Sequence, residues 1–209
     1  MPFEAFRIYE EYEDKYRTST KEKVARALAE AKKEGLEPVK ESGLEFLERF
    51  EEKSLEYIQR LLNEGVDKGW VALGLAGLDS ERAWTMRDRL LTEGANKGLV
   101  AQCLAGLDSE RAWTMRDRLL TEGADKGLVA LGLAGLDSDR AWTMRDRLLK
   151  EGANKSWVAL GLAGLDSERA WTMRDRLLKE GVNKDSVVRG LAGDYITFVW
   201  RLPYERGEK

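Results

Sequence analysis

Few residues in this chain have the types and spacing that chemistry requires. There is no His, and there is a single Cys, Cys103. Without His there is no Ser–His–Asp or Cys–His pair and no histidine-held metal. One Cys can make neither an internal disulfide nor a thiolate cluster. No base near Cys103 could activate it as a nucleophile. What recurs is arginine with tryptophan. The string RAWTMRDRLL starts at Arg82, Arg111, Arg140 and Arg169. It sets out Trp84, Trp113, Trp142 and Trp171, with Trp200 one interval further on. It also sets out Arg87, Arg116, Arg145 and Arg174. An aromatic ladder can stack nucleic-acid bases, and an arginine ladder can hold an anion or lace a core together. Which of these applies depends on the helix faces that carry them.

The interval is 29 residues, and LAGL repeats it at 75–78, 104–107, 133–136 and 162–165. Four units follow, 79–107, 108–136, 137–165 and 166–194, with a degenerate one before them at 50–78. Periods of 20–50 residues mark stacked repeats. Each unit reads as two helices. Asp79 or Ser80 caps helix A, which runs to about Glu93, and Gly94 stops it in a left-handed conformation. Asn96 caps helix B, which runs to Ala105 before Gly106. The short loops make the two helices antiparallel neighbours. The fold class is all-α, an α-solenoid of stacked two-helix 29-residue repeats. Residues 1–49 form a helical N-terminal cap and 195–209 a short C-terminal cap.

The flanks fit that reading. Phe3, Phe6, Tyr9, Tyr12 and Tyr16 make a stripe on one helix face, suited to covering the first repeat. Residues 20–34 form a second helix with a capping box at Ser19 and Glu22. Ser42 and Glu45 open a long helix through Glu64. At the other end Asp194 caps a short helix that Pro203 terminates. Trp200 continues the ladder, and Phe198 replaces an arginine. An exposed Phe there would favour a homodimer through the C-terminal ends.

Winding helix A at ~100° per residue puts Ala83, Trp84, Met86, Leu90 and Leu91 within an arc of roughly 160°. The tryptophan ladder therefore reads as core. Arg87 and its copies fall inside the same arc, and the aligned residue in the first unit is Ile58. They read as buried stems whose guanidinium groups pair between repeats, with Asp79, Asp88, their copies or helix-end carbonyls as partners. In helix B, Val100, Ala101, Leu104 and Ala105 face the core. The opposite stripe carries almost all the differences between units. One position reads Trp70, Leu99, Leu128, Trp157, Ser186 along the chain, and another reads Leu73, Gln102, Leu131, Leu160, Arg189. A close-packed site does not exchange Trp, Leu and Ser freely, whereas the exposed Thr85, Asp88 and Arg89 never change in the four full units. The stripe is therefore expected to lie outside the packed core and to form a diversified ligand face that includes Cys103. Gly74, Gly132, Gly161 and Gly190 also stand mid-helix there. An interior Gly costs about 1 kcal/mol against Ala, which close helix packing or close approach of a partner would explain.

The two-helix units, glycine stops and one arginine per repeat resemble the HEAT-like and armadillo-like α-solenoids, and also consensus-built helical scaffolds. The resemblance covers residues 50–202. It implies a non-enzymatic binding module that recognises a protein or peptide through the helix B face. A single-stranded nucleic-acid reader is the alternative, and a self-assembling or engineered repeat scaffold is another. Charge weighs against nucleic acid: 35 basic and 38 acidic residues give −3 overall, and unit 79–107 sums to zero. No cofactor, metal or membrane span is expected. The N-terminus lacks the pattern of a signal peptide, so cytoplasmic residence is expected.

Overall fold

The computed structural model describes residues 43–192, with side chains from Glu52 to Leu191. The expectations for 3–17, 20–34, Trp200, Phe198 and the C-terminal dimer lie outside the described residues. The described residues form ten helices and no strand. They are α1 (Gly43–Asn63), α2 (Lys68–Leu73), α3 (Glu81–Thr92), α4 (Lys97–Gln102), α5 (Glu110–Thr121), α6 (Lys126–Leu131), α7 (Asp139–Lys150), α8 (Lys155–Leu160), α9 (Glu168–Lys179) and α10 (Lys184–Ala192). Long A helices (odd numbers) alternate with short B helices (even numbers), and equivalent helices recur every 29 residues. The expected boundary between cap and first unit, 49/50, falls inside the unbroken α1.

Local chemistry sets each helix end. Ser80 Oγ accepts the Ala83 N–H at the start of α3, and Ser138 and Ser167 repeat the bond. At the far end Gly94 takes φ +88°. Its N–H donates to the Leu91 carbonyl while Ala95 N–H donates to that of Leu90, so both orphan carbonyls are used. Asp67, Asn96, Asp125 and Asn154 cap the B helices through side-chain oxygens.

Helix B is shorter than the sequence suggests. α4 ends at Gln102, and the chain continues in tighter three-residue turns, Leu104 N–H to Ala101 O and Leu107 N–H to Leu104 O. These turns leave the Leu104 and Leu107 carbonyls facing a buried arginine, described below. They also tie neighbouring units by main chain: Gly106 N–H donates to Ala134 O, and Gly135 N–H to Ala163 O.

Main-chain contact runs from each B helix to the next and between the A and B helices of a pair. Ala83, Trp84 and Leu90 with Val100, Ala101 and Leu104, and their copies, form one core that extends through the stack. The glycines expected mid-helix stand instead as C-caps at Gly74, Gly132 and Gly161, because the B helices end early, and only Gly190 lies within its helix; they show how close the B helices come. A methyl group at Gly132 would stand 2.1 Å from the Ala101 carbonyl oxygen. One at Gly161 would stand 2.3 Å from Ala130 O, and one at Gly190 2.4 Å from Ala159 O. Close helix packing is thus why these positions give up a side chain. Replacing Gly132 with Ala should destabilise the chain by about 3 kcal/mol, near the top of the range for overpacking. The denaturant midpoint of Gly132→Ala measures this. Gly94→Ala, strained only by its positive φ, should cost about 1 kcal/mol.

Candidate functional site

The arginine ladder is the most buried polar feature. Arg87, Arg116, Arg145 and Arg174 are all 0% exposed. Of the partners the sequence offered, the helix-end carbonyls are the ones used. Arg116 Nη2 donates to Leu104 O (2.7 Å) and Leu107 O (2.8 Å) of the preceding unit and to Gly132 O (3.0 Å) of its own. Arg87 reaches Leu75 O and Leu78 O, Arg145 reaches Leu133 O and Gly161 O, and Arg174 reaches Leu162 O and Leu165 O. Arg116 and Arg145 thus clasp the last turns of two consecutive B helices. The guanidinium carbons of Arg87 and Arg116 lie 4.4 Å and 4.6 Å from the ring centres of Trp84 and Trp113. A second arginine, from the next unit, also covers each ring: Arg111 over Trp84 and Arg140 over Trp113. The indole Nε1 of Trp84 donates to Asp79 Oδ1 at 2.8 Å, so Asp79 orients the tryptophan and does not pair with Arg87.

Burial pulls Arg116, Arg145 and Arg174 down to about 10, opposed by the carboxylates of Asp108, Asp137 and Asp166 respectively. They stay protonated at neutral pH. Nε and Nη1 of these three find no protein acceptor, nor does Nη1 of Arg87. Unmet buried donors cost about 1–3 kcal/mol each, and charged hydrogen bonds return about 1.5–3 each. Stacking on a desolvated indole adds about 2 kcal/mol. These contributions roughly cancel, so the clasp fixes geometry more than it adds stability. Cys103 meets one need: its Sγ lies 3.4 Å from Arg87 Nε and 3.0 Å from Val100 O. Burial raises this thiol against the influence of Arg87.

The variable stripe of helix B divides in two. Cys103, Leu131 and Leu160 are buried, the last two at 2% and 8% exposure. They are packed core, which corrects the expectation that the stripe as a whole lies outside it. Trp70 and Arg189 are exposed, and Leu73, Leu99, Gln102, Leu128, Trp157 and Ser186 are partly buried.

The partly buried positions follow a rule. A methyl at Gly69 would stand 2.8 Å from Leu99 Cδ1, and one at Gly98 2.6 Å from Leu128 Cδ1. One at Gly127 would meet Trp157 Cβ and Cδ1 at 3.1 Å. Each large side chain is a knob seated on a glycine socket of the preceding B helix, 30 residues earlier. At the next step of the same register the socket residue is Ser156 and the knob is Ser186. Where the socket gains a side chain, the knob is smaller. The change to Ser at 186 is therefore matched by a change of socket, whereas Leu and Trp both rest on glycine. Helical winding of one unit could not reveal this, but comparing residue i with i+30 does.

The exposed face of the A helices is constrained too. Arg118 pairs with Asp88 and Arg147 with Asp117, while Arg111, Arg140 and Arg169 pair with Glu81, Glu110 and Asp139. Lys68, Lys97 and Lys126 reach the carbonyls of Glu93, Glu122 and Glu151, where a helix C-terminus favours a cation. Asp88 and Arg89 are thus bound across units: Arg89 Nη1 donates to Gln59 Oε1. Their constancy reflects pairing and is no measure of neutral drift. Arg89 and Lys68 hold the Glu93 carboxyl below its ordinary value, and Lys155 and Arg176 do so for Glu180. Both carboxyls add stability above that value and lose it as pH falls through the lowered one.

Among the described residues no group of three or more His, Cys, Asp or Glu could hold a metal ion, and no helix is long and apolar enough to cross a membrane. No family model, curated protein or solved structure matches the chain.

The clasp carries its own test. Arg116→Met keeps the stem but removes the arginine donor from Leu107 O and Gly132 O and leaves Leu104 O with the Leu107 N–H alone, and it should cost about 3 kcal/mol. Arg118→Met, which breaks only the exposed pairs with Asp88 and Glu122, should cost less than about 1 kcal/mol. Equal losses in denaturant midpoint would contradict the assignment.

Proposed function

We propose that the chain is a non-enzymatic recognition scaffold that holds a protein or peptide along the stacked B helices, in the manner of HEAT-like and armadillo-like arrays. One observation carries the reading. Leu99, Leu128 and Trp157 form a row at one-repeat spacing that remains partly open and stands apart from the core and its fringe. The charges of the neighbouring surface are spent on one another in ladders. Such a row offers an extended ligand apolar contact at each step, with Leu73, Gln102, Ser186 and Arg189 beside it to read differences. Cys103, Leu131 and Leu160 shape the row from beneath. Anchors of this kind, tryptophan above all, carry most of an interface's energy.

A single-stranded nucleic-acid reader fits less well. Phosphates would have to displace carboxylates already paired with the arginines and lysines, and the four full units together sum to zero charge. Affinity for single-stranded RNA should be weaker than about 10 µM at physiological salt. Sub-micromolar binding that falls steeply with added salt would favour this second reading.

The test of the first reading is capture from the native host with three proteins: wild type, Trp157→Ser and Arg118→Ala. A partner held by the row should bind Trp157→Ser at least about tenfold more weakly, the loss of one hot spot, and should bind Arg118→Ala as it binds wild type. Equal retention by all three, with unchanged melting temperatures, would overturn the proposal.

A further inference from the structure

The B-helix interfaces from α2 to α8 are built from the same parts but are not equally tied. Between α4 and α6 the Gly106 N–H donates to Ala134 O, and between α6 and α8 the Gly135 N–H donates to Ala163 O. Arg116 and Arg145 reach the Gly132 and Gly161 carbonyls across the same two gaps. Between α2 and α4 both ties are missing among the described residues. The Gly77 N–H makes no bond to Ala105 O, and Arg87 reaches the thiol of Cys103 and not its carbonyl. We propose that this interface is the weak joint of the stack, where the first helix pair opens from the rest as a unit, with Cys103 as the spacer that keeps it loose.

The cause lies in one side chain. Cys103 holds the position of Gly132 and Gly161, and Ala72 holds that of Ala101 and Ala130. A Cβ at Gly132 would stand 2.1 Å from Ala101 O, closer than real Cβ atoms come. The Cβ of Cys103 therefore holds α2 and α4 farther apart. The other parts of the tie are present, since Gly77, Ala105, Leu75 and Leu78 repeat Gly106, Ala134, Leu104 and Leu107. Arg87 still holds the Leu75 and Leu78 carbonyls where the chain passes from α2 to α3, which makes that turn the pivot. Across the gap itself the ties are carried by side chains: Lys68 to the Glu93 carbonyl, Arg89 to Gln59, and Leu99 on Gly69. Such contacts tolerate a change of spacing that a main-chain bond does not, and segments open where firm ties are fewest. The joint stands whether or not the B helices hold a ligand.

Native-state hydrogen exchange of the full chain tests it, comparing wild type, Cys103→Gly and Cys103→Ala. In wild type the amides of 71–75 should exchange at least about tenfold faster than their counterparts at 129–133. Cys103→Gly lets the helices close and should slow 71–75 by about tenfold or more, with 129–133 unchanged. Cys103→Ala keeps the Cβ and should leave 71–75 no slower than in wild type. Ordinary fraying of an end would give the first result without the second. Equal exchange of the two segments in wild type would overturn the proposal. So would a Cys103→Gly chain whose 71–75 amides exchange no more slowly than those of Cys103→Ala. Cys103 is also the chain's single thiol and is fully buried, so labelling by a thiol-reactive probe gives a second readout. Opening of the joint uncovers it, and labelling should run about tenfold or more faster than global unfolding allows. Labelling at the rate of global unfolding would contradict the joint.

Discussion

The approach of consecutive B helices to backbone contact is the constraint on which the rest of the structure depends. At Gly132, Gly161 and Gly190 there is no room for a methyl group against the carbonyl of the preceding helix. That approach shortens the B helices and turns their final carbonyls toward the core, where arginine alone has the reach and donor geometry to gather them. The guanidinium then needs an aromatic surface, and the tryptophan of its own helix supplies it. Asp79 and its copies fix the indole in turn. Glycine, arginine, tryptophan and aspartate are therefore parts of one device, which explains why they recur together through the four full units, with Cys103 in place of glycine as the one exception.

Cys103 shows the device under variation. It occupies the position that is glycine in the other units, so a Cβ is present where Gly132 has no space for one. Its sulfur accepts from Arg87, whereas the corresponding Nε of Arg116, Arg145 and Arg174 has no protein acceptor. The first full interface thus trades close approach for a better-satisfied arginine. The last knob and socket make a similar exchange, Ser156 replacing glycine where Ser186 replaces the larger Leu or Trp.

Much of this was legible in the sequence. The 29-residue period, the paired helices, the serine and asparagine caps and the glycine stops followed from local chemistry. So did the burial of Trp84 and Arg87, whose winding angle places them among apolar neighbours. The partners of Arg87 were less accessible, since carbonyls at a helix end leave no mark in residue types. The variable stripe is only partly legible, because the volume at one position does not show what it packs against. Leu131 is buried by residues that helical winding of its own unit does not show, and Leu99 finds its room on Gly69 of the preceding B helix. The constancy of Asp88 and Arg89 misled for the same reason, as their partners stand a full unit away.

The central claim is that differences between units are complementary across the B-helix interfaces. A double-mutant cycle on Gly98 and Leu128 tests it most directly. Gly98→Ala alone should destabilise, because the new methyl meets the Leu128 side chain at 2.6 Å. In a Leu128→Ala background the same change should be neutral or stabilising, since Ala is the better helix former by about 1 kcal/mol. The account predicts a coupling of about 1 kcal/mol or more from denaturant midpoints. If Gly98→Ala has the same effect in both backgrounds, within about 0.5 kcal/mol, knob and socket do not act as a pair and the account is wrong.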